Sequence, residues 1–377
     1  MAFGIEFKHV DYKIEIEMPQ NNSFEDEFAE TYVSKKEPPP DIVVFNELRS
    51  CADLFRLHQK NQLNIQPFFQ RENVWAATEQ TRFIDSLVKQ LPIPSMCFAL
   101  DYDTRKWIVI DGLQRMTAII RFLNPDNDWT LSKLSDIDPK IAGASTKELH
   151  DENSSLHPYI ERVENLSLPI TVLRCNLSNS DHMEYLFKIF HRLNSGGMKL
   201  NNQEVRNCIY SGPLNDCLIK LDKSPEWRKL HKHINGKKDR FRSVELILRI
   251  YAFSEAMSKY SGNLTVFLNN FMHQHRNASV QKLSSFEERL DRTCHLLVNK
   301  IIPKMVTQKF GFTQIEALAV GVMENLDNVE SLSSTALKKC ILSFEMIELL
   351  QGKALSEGIS KVEKVKGRLD SAIKAFS

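Results

Sequence analysis

The chain contains no run of 18 apolar residues, and its start, "MAFGIEFKHVDYKIEIEM", has no basic stretch leading into an apolar one. It therefore predicts neither a membrane span nor an exported product. Its seven cysteines, Cys51, Cys97, Cys175, Cys208, Cys217, Cys294 and Cys340, form no CxxC pair and sit mostly among apolar neighbours. That argues against a structural zinc site and for a reducing compartment. An excess of charge of one sign is missing too: 49 Lys and Arg face 48 Asp and Glu. Without a global basic field, any nucleic-acid contact has to be a local patch. No internal repeat recurs at a fixed period. What is present is a globular composition, 42% hydrophobic over 377 residues, long enough for two folding units. The expectation is a soluble, cytoplasmic protein.

Three regions differ in pattern. Residues 1–41 form an N-terminal extension: period-two alternation through Ile14, Ile16 and Met18 predicts a strand, and "KKEPPPD" an extended connector. Residues 42–177 mix short β-rich runs with helices, predicting an α/β unit. "TEQTRFIDSLVKQL" and "LQRMTAIIRFL" read as helices, "PSMCFALDYDTRKWIVI" as two strands around an acidic turn, and "LSLPITVLRC" as a further strand. The polar stretch from Asn124 to Asn153 reads as a surface excursion. Residues 178–377 carry apolar residues at helical spacing throughout, which predicts an all-α domain and an α+β chain overall.

Three stretches carry candidate chemistry. In "WIVIDGLQRM" a strand hands over to a helix through Asp111 and Gly112, with Gln114 and Arg115 in the first turn. Asp111 and Gln114 have the spacing of a capping box. Arg115 is not explained by capping, because the positive end of the helix dipole disfavours a cation unless an anion shares the site. In "QPFFQRENVW", Gln66, Gln70 and Arg71 surround a proline, and a loop edge or a ligand contact both fit. In "FHRLNSGGMKLNNQEVRN", Arg192 and Asn194 precede a di-glycine and Asn201 with Glu204 forms a second capping box. Helix punctuation accounts for that stretch, and so does a close approach to phosphate. Elsewhere, His231 with His233 and His273 with His275 stand at i,i+2, which suits solvated surface better than metal binding. Glu245 and Arg249 at i,i+4 predict a helix-surface ion pair. The basic "HKHINGKKDRFR" suits a solvated loop or a phosphate backbone.

Taken together, "IDGLQR", "IQPFFQRENVW" and "IFHRLNSGGMKLNNQEVRN" resemble the prokaryotic family whose signature is Asp-Gly-Gln-Gln-Arg, which includes the GmrS half of the GmrSD modification-dependent restriction enzymes. The fold of that family resembles ParB and sulfiredoxin, so the resemblance implies a ParB/sulfiredoxin-like domain over residues 42–177. The first ParB box is similar to Gln66 through Arg71, the glycine-arginine box to Gly112 through Ala118, and the asparagine box to Asn194, Leu200 and Glu204. In ParB these boxes surround a nucleoside triphosphate and magnesium, and in the GmrS family the signature is tied to nucleotide hydrolysis. Two departures stand out: Leu113 replaces the first glutamine of the signature, and Leu193 replaces the acid that precedes the ParB asparagine.

The resemblance implies a nucleotide-binding, NTP-hydrolysing component of a prokaryotic anti-phage or restriction-like system. Asp111, Gln114 and Arg115 become the candidate catalytic residues, and Gln70, Arg71, Gly112, Arg192, Asn194 and Glu204 contact the nucleoside triphosphate. Asp111 and Asn194 hold Mg2+. Expected partners are the nucleotide, DNA and a second defence protein such as a nuclease, with no membrane contact; no His-Asn-His nuclease pattern follows Asp239. Two rivals differ in class. One is a ParB-like DNA binder or nuclease whose basic groove passes Lys237, Lys238 and Arg240. The other is a non-catalytic partner that adds residues 1–18 to another protein's sheet.

Overall fold

Ser50 ends the first strand, β1 (Val43–Ser50), and starts the first helix, α1 (Cys51–Gln59): its hydroxyl accepts the Asp53 amide at 3.1 Å. The computed structural model describes residues 38–65, 75–193, 201–235, 241–355 and 358–377. The predicted N-terminal strand and the Gln66–Arg71 box lie outside the described residues. The short β2 (Leu63–Asn64) precedes α2 (Ala77–Val88), and β3 (Met96–Asp101) and β4 (Trp107–Asp111) follow, joined by the acidic turn the sequence predicts. In that turn the Asp101 carboxylate accepts the Thr104 hydroxyl at 2.6 Å. Then come α3 (Leu113–Leu123), α4 (Thr146–His150), α5 (His157–Glu164) and β5 (Ser167–Cys175).

The five strands form one sheet in the order β1-β5-β3-β4-β2. β1 runs antiparallel to β5, β5 parallel to β3, β3 antiparallel to β4 and β4 parallel to β2. Phe98, Trp107, Val109, Leu168, Ile170 and Val172 bury one sheet face in a core with α1, α2, α3 and α5. Ile108 and Ile110 alternate to the other face and are also buried. Two further helices pack on β4, α6 (Ser180–Leu193) and α7 (Asn202–Ile209). Buried His182 of α6 accepts the Asn176 amide at Nδ1 (2.9 Å) and donates from Nε2 to Asp41 (2.9 Å), fastening the chain just before β1.

Residues 124–153 correct one expectation. The stretch is irregular as predicted, but Trp129, Leu131, Ile137, Ile141, Ala144 and Leu149 are all buried in the main core. Side chains substitute for regular structure in satisfying its backbone: Thr81 accepts the Ser132 amide at 3.0 Å and Asp85 the Asp138 amide at 2.8 Å. Polarity hid the core contribution, because the apolar residues follow neither a helical nor a strand period.

After β5 the described residues form no further strand, only an isolated bridge between Ile234 and Phe310. The helices are α8 (Pro213–Leu221), α9 (Pro225–His231), α10 (Arg242–Ala256), α11 (Leu264–His275), α12 (Val280–Leu296), α13 (Phe312–Met323), α14 (Leu326–Ser331), α15 (Ser334–Glu345) and α16 (Val362–Phe376). Side chains of Ser224, Asn263, Ser279 and Ser333 cap four of them. α13 is buried along its length except at Gln314. At Gly321 the backbone of α16 comes so close that a Cβ would lie 2.7 Å from the Ala372 carbonyl oxygen. No helix among the described residues is long and apolar enough to cross a membrane.

The predicted surface pair Glu245–Arg249 is instead buried, each residue 4% exposed. Arg206 of α7 donates to Glu245 of α10, and Glu245 stands 3.8 Å from Arg249. Arg249 meets Glu316 of α13 at 2.5 Å, and Glu316 meets Arg368 of α16 at 3.3 Å. Among the described residues five charges thus run through four helices in a chain that i,i+4 spacing could not reveal, because most of the partners are distant in sequence. Burial this deep is tolerated because each charge has an opposite neighbour.

Candidate functional site

The Asp111–Gly112 junction is built differently from the capping box its spacing predicts. Asp111 remains in β4, opposite Cys97 at a register shift, and the N-cap of α3 is Gly112 with φ +97° and no side-chain cap. This left-handed backbone favours glycine, and a Cβ there would lie 2.5 Å from Met96 Cγ. The Asp111 carboxylate meets Arg115 Nη2 at 2.7 Å instead of capping the helix. Arg115 also donates to the Pro94 and Ser95 carbonyls, so its guanidinium bridges the start of β3 and the end of β4. Its side chain is only 14% exposed, and burial lowers its pKa against the raising effect of Asp111.

Gln114 takes the role of a tether. Its Oε1 accepts the Trp75 amide at 3.1 Å, while Gln80 Nε2 donates to the Trp75 carbonyl at 2.9 Å and its own Oε1 accepts from Arg121 at 3.1 Å. Trp75 packs edge-on against Phe83, 5.4 Å between ring centroids. The last residue of the "QPFFQRENVW" box is therefore fastened to the first turn of α3. Gln70 and Arg71 lie outside the described residues, as do Asn194, the di-glycine and Lys237, Lys238 and Arg240.

At the third stretch, Asn201 and Glu204 form the capping box the spacing predicts: the Glu204 amide donates to Asn201 Oδ1 at 2.9 Å and the Asn201 amide to Glu204 Oε2 at 2.8 Å. Glu204 is 2% exposed. Arg192 is exposed in the last turn of α6. α6 and α7 both pack on β4, so the residues flanking 194–200 are carried against that strand, while Trp75, which follows residues 66–74, is fastened to α3. Sequence reasoning gave no role to Trp75, to Gln80 or to the Pro94 and Ser95 carbonyls. A carbonyl contact leaves no trace in residue type, whereas the tryptophan was inside the quoted box.

Residues 51–211 match the GmrSD restriction endonuclease, N-terminal domain. The GmrSD-type segment thus begins at α1 and ends just after α7, and contains all three motif stretches. No curated protein matches the chain.

Within the GmrSD-type segment, no group of three or more His, Cys, Asp or Glu among the described residues could hold a metal. Asp111 has one oxygen on Arg115 and its side chain is 37% exposed. One carboxylate suits Mg2+, which commonly binds through one or two carboxylates, phosphate oxygens and water. Cys97, opposite Asp111, has its thiol pushed up to about 12, chiefly by burial and further by the Asp111 charge. That rules it out as a thiolate nucleophile at neutral pH. His231, His233, His273 and His275 are half-buried rather than solvated.

Proposed function

We propose that the GmrSD-type segment binds a nucleoside triphosphate at the start of α3 and hydrolyses it, within a ParB/sulfiredoxin-like fold. On this reading the chain serves as the nucleotide-sensing half of a prokaryotic restriction-like or anti-phage system. One observation carries the reading: α3 starts at a left-handed glycine with no side-chain cap, beside Arg115. Backbone N–H groups at such a start and a guanidinium are suited to polyphosphate oxygens.

Arg115 and Arg71 neutralise phosphate, Gly112 lets the backbone approach it, and Gln70 and Gln114 orient phosphate or water. Arg192 and Glu204 border the site from the third stretch. Asp111 with Asn194 would hold Mg2+, whose charge offsets that of the phosphates. Phosphate bound there would compete with Asp111 for the Arg115 guanidinium, and the carboxylate would then be available to hold the cation. DNA and a separate nuclease are the macromolecular partners this reading calls for.

The test is a thermal-shift series with ATP, CTP, GTP and UTP, each with Mg2+, on the wild type and on Arg115→Lys, combined with phosphate release. A ligand held only by the folded state raises the melting temperature. At least one triphosphate should shift the wild type, and the shift should shrink in Arg115→Lys, where bidentate contact is lost. Failure of all four to shift the wild type refutes the binding reading. A shift without phosphate release refutes hydrolysis alone.

A further inference from the structure

We infer that β1 is a self-complementary edge through which two copies of this chain pair, joining their sheets across a twofold axis. Four of the eleven exposed large hydrophobic residues described, Val43, Val44, Phe45 and Leu48, fall in this one strand of eight residues. Among the described residues β1 is an outermost strand, with β5 on one side only. The sheet's other edge, β2, is blunted by being two residues long, whereas β1 is long and apolar. A long open edge carrying Leu48 at 72% exposure calls for a cover.

The sequence of the strand selects the cover. A twofold perpendicular to the sheet pairs β1 antiparallel with its copy and keeps the faces aligned, so paired residues must share parity. Centring the axis on Glu47 sets that carboxylate against its own copy. Centring it on Asn46 sets Glu47 against Phe45 and Arg49 against Val43. Centring it on Leu48 sets leucine against leucine, Glu47 against Arg49 twice, and Asn46 against Ser50 twice. Of these three, only the last pairs like with like in polarity and opposite with opposite in charge; centring on Val44 sets apolar residues against one another but brings Glu47 against Asp41. Glu47 and Arg49 already touch within the strand, at 2.5 Å, and Arg49 reaches Asp53 at 2.5 Å. In the pair each Arg49 lies between its own Glu47 and that of the other copy.

Cross-linking tests occupant and register together. Paired residues on the axis have Cα atoms about 4.5–5.5 Å apart, within disulfide reach. In a Cys340→Ser background, which removes the one cysteine not fully buried, purified Leu48→Cys should oxidise to a covalent dimer, while Val44→Cys should not. Light scattering of the unmodified chain at tens of micromolar should give twice 43.5 kDa, and Leu48→Lys, which opposes two ammonium groups on the axis, should return it to the single mass with its helical circular-dichroism signal retained. A monomeric wild type overturns the proposal. So does cross-linking through Val44→Cys but not Leu48→Cys, or a strand edge that captures only a different protein.

Discussion

Replacing Glu316 by glutamine probes the buried charge chain at its most enclosed member. Glu316 is 0% exposed and accepts from Arg249 at 2.5 Å and Arg368 at 3.3 Å. Among the described residues the chain sets three guanidinium groups against two carboxylates; the amide leaves three against one. Removing one partner of a buried pair costs ~3–5 kcal/mol, because the opposite charge is stranded without solvent. For a folded unit spanning residues 36–377, an unfolding entropy of about 2.1 cal/mol/K per residue gives roughly 0.7 kcal/mol/K, so the melting temperature should fall about 4–7 °C. Calorimetry at neutral pH on Glu316→Gln, Arg368→Met and the double variant measures this. The double restores the native excess of one positive charge and should lose less than the two singles combined. A shift within about 1 °C for Glu316→Gln, or strictly additive losses, would refute the coupling.

Three further outcomes follow from the site and its surroundings. Gly112→Ala forces a side chain into φ +97° and against Met96; it should cost ~1–3 kcal/mol, read as a lower urea midpoint, and an unchanged midpoint would reject the strain argument. Gln114→Ala removes the acceptor of the Trp75 amide. Exchange of that amide should speed up roughly tenfold for ~1.4 kcal/mol lost, and unaltered protection would show the tether to be idle. His191 has its pKa lowered from 6.5, first by burial and then by Arg206, against the raising contact with Asn202. The unfolded chain therefore takes up protons first as pH falls through 6.5, and stability present above that value is lost below it. Melting temperatures between about pH 7.5 and 5.5 should decline less steeply for His191→Gln than for wild type, and equal slopes would exclude His191 as a source.

The sheet's inner strands were legible because each has a plain signature: "MCFALD" and "WIVID" are apolar runs around a turn with its own aspartate, and Asn201 with Glu204 forms the box its spacing predicts. β1 escaped notice because four of its apolar residues face solvent and its alternation is imperfect. Asp111 misled for a related reason. Asp111 stands one residue too early: Gly112, left-handed at φ +97°, occupies the N-cap position, and the Asp111 carboxylate is taken by Arg115. That Arg115 needed an anionic neighbour was sound, but the neighbour present is Asp111, four residues earlier. Long-range polar partners such as Arg206 with Glu245 are invisible to any local period.

Arg206 lies inside the GmrSD-type segment, while the carboxylate that neutralises it belongs to α10, beyond residue 211. A fragment cut at that point would lose the acid that meets this guanidinium, and a chimera that grafts another helical half onto this segment would have to bring an acid to the same spot. Transplanting the segment is thereby constrained by an interhelical contact whose acid lies outside it.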